Sequence, residues 1–146
     1  MKEKLLISAC LLGLPCRYDG EGRRSVSVDE LSEKYELIPY CPEIYGGLPT
    51  PRTPSERVGD RVVMRDGSDV TENYRRGALG AVALCRSLGC RLALLKARSP
   101  SCGVGEIYDG SFGGKLTVGN GVTAEHLIDA GVSVFTEESI DSLTAK

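Results

Sequence analysis

KLLISAC, residues 4–10, sets Leu5, Leu6 and Ile7 in an unbroken apolar run and ends it on a cysteine. An alternating pattern marks a strand with one wet face, whereas a short continuous run suits a strand buried on both faces of a helix-covered parallel sheet. The same pattern recurs in ELIPYC (36–41) and RLALLKARSPSC (91–102), where a cysteine follows an apolar run directly or after a short loop. VSVF (132–135), interrupted by Ser133, is a fourth strand candidate. Strands are therefore expected over 4–9, 37–40, 91–95 and 132–135. In an open parallel sheet the ligand crevice lies outside the carboxyl ends of the strands. That rule gathers Cys10, Cys41 and Cys102 at one edge, where thiols make a site rather than a core.

The segments between the runs read as crossover helices. Ser27 and Glu30 have capping-box spacing, followed by a stripe of Val28, Leu31 and Tyr35. Asp69 and Glu72 repeat that spacing before TENYRRGALGAVALCRSLG (71–89), whose Tyr74, Ala78, Ala81, Val82, Cys85 and Leu88 recur at helical intervals. Gly77 and Gly80 each cost such a helix roughly 1 kcal/mol against Ala, so close packing is their expected use. A further helix is expected over 124–130, with Thr123 as N-cap, Val122 stapled to Leu127 and Gly131 as its stop. One or two helical turns at 139–143 would finish the chain.

IYGGLPTPRTPSE (44–56) carries three prolines and can be neither a central strand nor a helix. It is expected as a rigid loop over the crevice, leading into a small hairpin at 57–65 around Gly59 and Asp60. Alternating strands and helices over 146 residues define an α/β fold: a single three-layer, Rossmann-like domain, 1–146, with a mainly parallel sheet and an inserted Pro-rich loop and hairpin at about 44–68.

Eighteen basic and twenty acidic side chains give a net charge of −2, which offers no global attraction to nucleic acid or acidic membranes. No apolar run reaches the ~18 residues of a membrane span. The N-terminal stretch lacks an A-x-A-like cleavage site and is broken by Gly13 and Pro15, so it is expected as a buried strand, with the protein in the reducing cytoplasm. Six cysteines there are thiols for packing, chemistry or metal. The sequence leaves monomer and homo-oligomer open.

Cys85 lies on the apolar stripe of a helix and Cys90 precedes a buried strand, so both are expected to be structural. Zinc sites usually show a cysteine pair with roughly two to four intervening residues; Cys85 and Cys90 have that spacing but are the two expected to be structural, and the loop cysteines show no such pair, Cys10 and Cys16 having five residues between them. CLLGLPCR (10–17) has a phosphatase-like look, but Arg17 stands one position too far from Cys10 to cradle phosphate with it. GVGEIYDG and GNG match neither nucleotide-binding glycine motif. His126, the only histidine, falls inside a helix. Three isolated cysteines at strand ends suit an iron–sulfur cluster better than zinc, because three protein thiolates leave one iron of a cube open to substrate.

SACLLGLPCRYDG, CPEIYGGLPTPR, LLKARSPSCG, IYDGSF and GNGVTAEHL, in this order, resemble a bacterial family long catalogued as domain of unknown function 523, over nearly the whole chain. That family includes [4Fe-4S]-dependent thiouracil desulfidases. The resemblance implies a cluster held by Cys10, Cys41 and Cys102, and non-redox desulfuration of a thiolated pyrimidine (2-thiouracil, 4-thiouracil or a related nucleoside) to its oxo form with sulfide release. An iron–sulfur sulfur carrier and a non-enzymatic metal-dependent interaction domain stand as alternatives. The expected partner is a small thiolated base or nucleoside, with no stable nucleic-acid complex and no membrane.

The resemblance also implies a catalytic set of Glu43, Ser99 and Ser101. Glu43 reads either as a loop carboxylate or as the general base that activates water. Ser99 and Ser101 read either as turn-formers around Pro100 or as groups that direct the pyrimidine and its ring proton. Cys16, Arg17, Tyr18, Asp19, Arg52 and Lys96 are candidates for substrate contact or for supporting the site. Cys16 could instead pair with Cys10 in oxidised protein, Arg52 could bind an anion or close a loop, and Lys96 could snorkel from the sheet edge.

Overall fold

Leu5 lies in register with Leu37 on one side and Leu92 on the other, at the centre of a parallel sheet made by all four expected strands. The strands are β1 (Glu3–Ser8), β2 (Tyr35–Tyr40), β5 (Leu92–Leu95) and β8 (Ser133–Thr136), in the spatial order β2-β1-β5-β8. The computed structural model describes residues 2–14, 18–20 and 28–144, without the side chain of Val28. Each strand lies within one or two residues of its expected position.

Both sheet faces are covered, which is why the runs do not alternate. Leu6, Ala93 and Leu95 pack with Ala81, Val82 and Cys85 of α3 (Thr71–Leu88) and with Ala124 and Leu127 of α4 (Val122–Asp129). Leu5, Ile7 and Leu94 pack with Leu31 of α1 (Val28–Lys34) and Leu143 of α5 (Asp141–Thr144). The result is the three-layer α/β arrangement. Leu5, Leu6 and Ile7 are fully buried, each worth about 1.5–3 kcal/mol against exposure. Chain order runs from β1 outward to β2 and then back across β1 to β5, so the sheet reverses direction at β1, where such folds open a crevice.

The expected hairpin is present as β3 (Ser55–Val58) and β4 (Arg61–Met64), joined at Gly59 and Asp60. Val62 and Met64 share one face, as expected, and fasten it to Tyr74 and Ala78 of α3. A second hairpin, β6 (Glu106–Tyr108) with β7 (Leu116–Val118), occupies the glycine-rich stretch and was not expected, because strands of three residues are too short to show a period.

Several local expectations are corrected. Asp69 does not cap α3: the N-cap is Val70 without a side-chain bond, while Asp69 accepts the Thr71 N–H and hydroxyl and pairs with Arg61. Asp66 and Asp109 likewise accept the N–H groups of Ser68 and Ser111, two residues on, the local turns Asp favours. Gly121, not Thr123, precedes α4, which starts at Val122 and buries Thr123 in its first turn. Tyr35 begins β2 rather than ending α1, and its hydroxyl donates to the Leu143 carbonyl at 2.9 Å. Ile44 and Tyr45 end a short helix, α2 (Pro42–Tyr45), ahead of the proline loop. The Ser27 cap lies outside the described residues. Cys85 and Cys90 are buried as expected, and His126 stays in α4 with Nδ1 2.8 Å from the Val122 carbonyl oxygen. Among the described residues no helix is long and apolar enough to cross a membrane.

Candidate active site

β1, β2 and β5 all end at the same edge of the sheet. From Ser8 the chain enters a 3₁₀ turn, Ala9–Leu11, that presents Cys10; from Tyr40 it passes through Cys41 into α2; from Leu95 it runs through Lys96 and Ser99 to Cys102. These segments enclose a cavity of about 390 Å³ lined by Cys10, Cys41, Cys102, Glu43, Ser99 and Lys96, among others.

Cys41 has extended backbone and precedes Pro42 at the first position of α2, where the missing N–H costs nothing. α3 backs this turn at very short range: a Cβ on Gly77 would lie 2.1 Å from the Pro42 carbonyl oxygen. Gly77 thus lets α2 approach α3, and Tyr40 donates its hydroxyl to the Gly77 carbonyl at 2.6 Å. Burial, followed by the neighbouring Tyr45, raises the Tyr40 phenol well beyond its ordinary range, so it remains a donor.

Glu43 lies two residues beyond Cys41 with both oxygens engaged. Tyr74 of α3 donates to Oε1 at 2.6 Å and Ser101 donates to Oε2 at 3.3 Å. Arg52 Nη2 lies 3.4 Å from Oε1; its side chain is 2% exposed, against 18% for Glu43. The Ser101 hydroxyl is also 3.0 Å from that of Ser99, which reaches the cavity surface. A continuous polar chain therefore links Glu43 to Ser101 and Ser99.

Cys102 is fixed by its turn. Ser99 Oγ accepts the N–H groups of Ser101 and Cys102 at 3.1 and 3.2 Å, and the Ser101 carbonyl accepts those of Thr123 and Ala124 at the start of α4. Gly121 permits that docking, since a Cβ there would meet the Ser101 carbonyl carbon at 2.4 Å. The hydroxyls of Ser8 and Ser101 lie 3.5 and 3.4 Å from Cys102 Sγ, and the single Ser101 proton serves either this sulfur or Glu43 Oε2. Burial pushes the Cys102 thiol up to about 12, while those two hydrogen bonds act the other way. Such a sulfur ionises when a cation binds it, and the two hydroxyls are the donors that a metal-bound thiolate uses.

Among the described residues no three His, Cys, Asp or Glu side chains converge on a point that would hold a single metal ion. Cys10, Cys41 and Cys102 nevertheless line one cavity. Thiolates on different irons of one cluster stand further apart than ligands of one ion, so this donor set fits a polynuclear iron–sulfur group.

The remaining candidates divide. Lys96 lines the cavity but its ammonium is held at 2.7 Å by Glu137, which also accepts the Ala97 N–H. Tyr18 lines the cavity and is exposed, and its carbonyl accepts the Arg52 N–H at 2.6 Å. Asp19 is exposed and Arg52 serves Glu43; neither is on the cavity wall. Ser101 is fully buried and acts through its neighbours. Cys16 and Arg17, with the suggested Cys10–Cys16 pairing, lie outside the described residues. Sequence reasoning missed Ser8 and Tyr74. Ser8's place at a strand's carboxyl end was a usable signal, whereas Tyr74 looked like any core residue on a helical stripe.

A parallel sheet whose strand ends bring thiols, a carboxylate and hydroxyls into one pocket has the layout of an α/β enzyme with its crevice at the carboxyl ends of the strands. Residues 5–139 match the family model for 2-thiouracil desulfurase, and the chain belongs to that family. The chain is 48% identical to a solved [4Fe-4S]-dependent thiouracil desulfidase, TudS, with a TM-score of 0.94, over 99% of this chain and 97% of that one. It is 38% identical to the uncharacterized protein YbbK of Bacillus subtilis (strain 168), over 95% of this chain and 99% of that protein.

Proposed function

We propose that this protein desulfurates a thiolated pyrimidine without net electron transfer, using Cys10, Cys41 and Cys102 to hold a [4Fe-4S] cluster and Glu43 as general base. The observation that carries the reading is the hydroxyl of Ser101, which joins Glu43 to Cys102 at the wall of the cavity shared by the three thiols. Family membership and the likeness to TudS support it.

When bound, a cluster held by three thiolates supplies an iron with an open position, a Lewis acid suited to a thiocarbonyl sulfur. Glu43 takes the proton of the water that adds to the thiocarbonyl carbon. Tyr74 and Arg52 hold the carboxylate in place while it does so. Ser101 and Ser99 carry a proton between Glu43 and the cavity surface, where Ser99 meets the ring. Water supplies one oxygen, C=S becomes C=O, and sulfur leaves as hydrogen sulfide; oxidation states are unchanged.

The substrate is a small free base or nucleoside and the protein works in the cytoplasm without a stable nucleic-acid or membrane complex, a reading supported by the net charge of −2 and the buried thiols of Cys85, Cys90 and Cys102. The test is anaerobic reconstitution, with iron and sulfide analysis and Mössbauer spectroscopy, followed by ultraviolet and sulfide assays on 2-thiouracil, 4-thiouracil and 4-thiouridine. Multiple turnovers on one of them are expected. Sulfide released only once per protein would make it a sulfur carrier, and no reaction by fully loaded protein would refute desulfuration.

A further inference from the structure

Glu56 is a buried carboxylate, 8% exposed, that the chemistry above does not use. It stands on β3 at the cavity and its Oε1 accepts two backbone N–H groups, from Gly110 at 2.9 Å and Phe112 at 3.1 Å. A charged acceptor for two amides is a strong clamp, and it fastens the loop between β6 and β7 to the neighbouring hairpin.

The clamped loop carries an unusual residue. Phe112 has φ +57°, in the left-handed region that bulky side chains avoid, and it lines the cavity. Such strain persists only where surrounding contacts impose it, and it concentrates at ligand sites. The chain has two phenylalanines and no tryptophan. Phe135 packs with the core, so the other is spent on the pocket at a conformational cost. Arg65, also on the pocket, lies over the Phe112 ring, 5.6 Å from its centroid, and steadies it. Tyr108 and Tyr18 add further aromatic surface. The sheet edge thus contributes thiols, carboxylate and hydroxyls, while the β6–β7 hairpin and the loop after β1 contribute rings.

We infer that Phe112 is the surface against which the pyrimidine ring packs, and that Glu56 is the positioning residue that holds Phe112 there. This rests on the thiopyrimidine reading above and extends it to how the ring is gripped. A planar heteroaromatic ring gains most from an aromatic partner that is already immobilised, since little side-chain freedom remains to be lost on binding.

The test compares wild type with Phe112→Ala, Glu56→Ala and Glu56→Gln, each loaded to the same iron content. It measures kcat and KM for the best thiopyrimidine, the Kd for uracil by calorimetry, and amide hydrogen exchange across 109–114. Phe112→Ala is expected to raise KM and the uracil Kd on the order of tenfold with little change in kcat. Glu56→Ala should shift both constants the same way and expose the Gly110 and Phe112 amides to exchange. Glu56→Gln keeps a carbonyl acceptor and should stay within about twofold of wild type. Unchanged KM and Kd in Phe112→Ala, with wild type turning over, would overturn the inference and leave desulfuration standing; that variant decides the matter even if Glu56→Ala fails to fold. A fall in kcat alone in Glu56→Gln would make Glu56 part of the chemistry and overturn its positioning role. If fully loaded wild type turns over no thiopyrimidine, the functional reading fails and this inference falls with it.

Discussion

Tyr74 donates a 2.6 Å hydrogen bond to Glu43 Oε1 from inside the helix that backs the active-site turn. Burial, then the carboxylate itself, pushes its phenol well above the ordinary range, so the bond keeps its donor at any working pH. Tyr74→Phe is expected to lower kcat about tenfold or more with KM and iron content near wild type, because hydrogen bonds to charged groups are worth about 1.5–3 kcal/mol. Steady-state kinetics alongside iron analysis checks this; wild-type kcat would show that Glu43 does not need the phenol.

Glu43→Gln removes the base while keeping the shape of the side chain. Turnover should fall by roughly 10²–10⁴ with the cluster retained, the range expected for loss of a general base. Loss of Arg52's ionic partner should also lower the melting temperature slightly. Sulfide release measured against iron content separates a lost base from a lost cluster.

Much of the sheet was legible because buried parallel strands leave unbroken apolar runs, and the cysteines ending KLLISAC and ELIPYC fall at strand ends for the same reason. What could not be read is tertiary. Helical period put Tyr74 on a buried stripe, yet nothing in its spacing says that the hydroxyl meets Glu43, 31 residues away. Asp69 has the chemistry of a cap but spends it on Thr71 and Arg61. Glu56 closes the proline-loop segment and nothing in the sequence marks it as buried; its burial follows from two amides on a hairpin that itself left no period.

Cys85, together with the buried Cys90 and Cys102, makes the metal-free protein sensitive to alkali. Burial, followed by the nearby Cys90 thiol, raises Cys85 from 9.0 to about 12. Below pH 9 the thiol is protonated folded or unfolded and contributes no slope. Between about 9 and 12 the unfolded chain ionises while the folded one holds its proton, so stability declines as pH rises. Thermal melts of apo protein should show a falling midpoint from pH 9 upward. Cys85→Ala should lower the midpoint at neutral pH by removing a core side chain, yet flatten this decline; an unchanged slope would mean that the thiol ionises as readily folded as unfolded.

Gly77→Ala tests whether the approach of two helices sets the chemistry. The added methyl would meet the Pro42 carbonyl oxygen at 2.1 Å, a backbone atom that cannot rotate away. Ala is otherwise the better helix former by about 1 kcal/mol, so a helix indifferent to packing would be stabilised by the change. The clash should prevail instead, with a net loss of about 1–3 kcal/mol typical of overpacking. Its local effect should exceed its global one, because relief requires α2 to move off α3, carrying Cys41 and Glu43 out of line with Cys102 and Tyr74. The variant should therefore bind less iron on reconstitution and turn over more slowly at temperatures where circular dichroism still shows a folded protein. Equal or greater stability with full iron content would show that the turn bearing Cys41 does not depend on this contact.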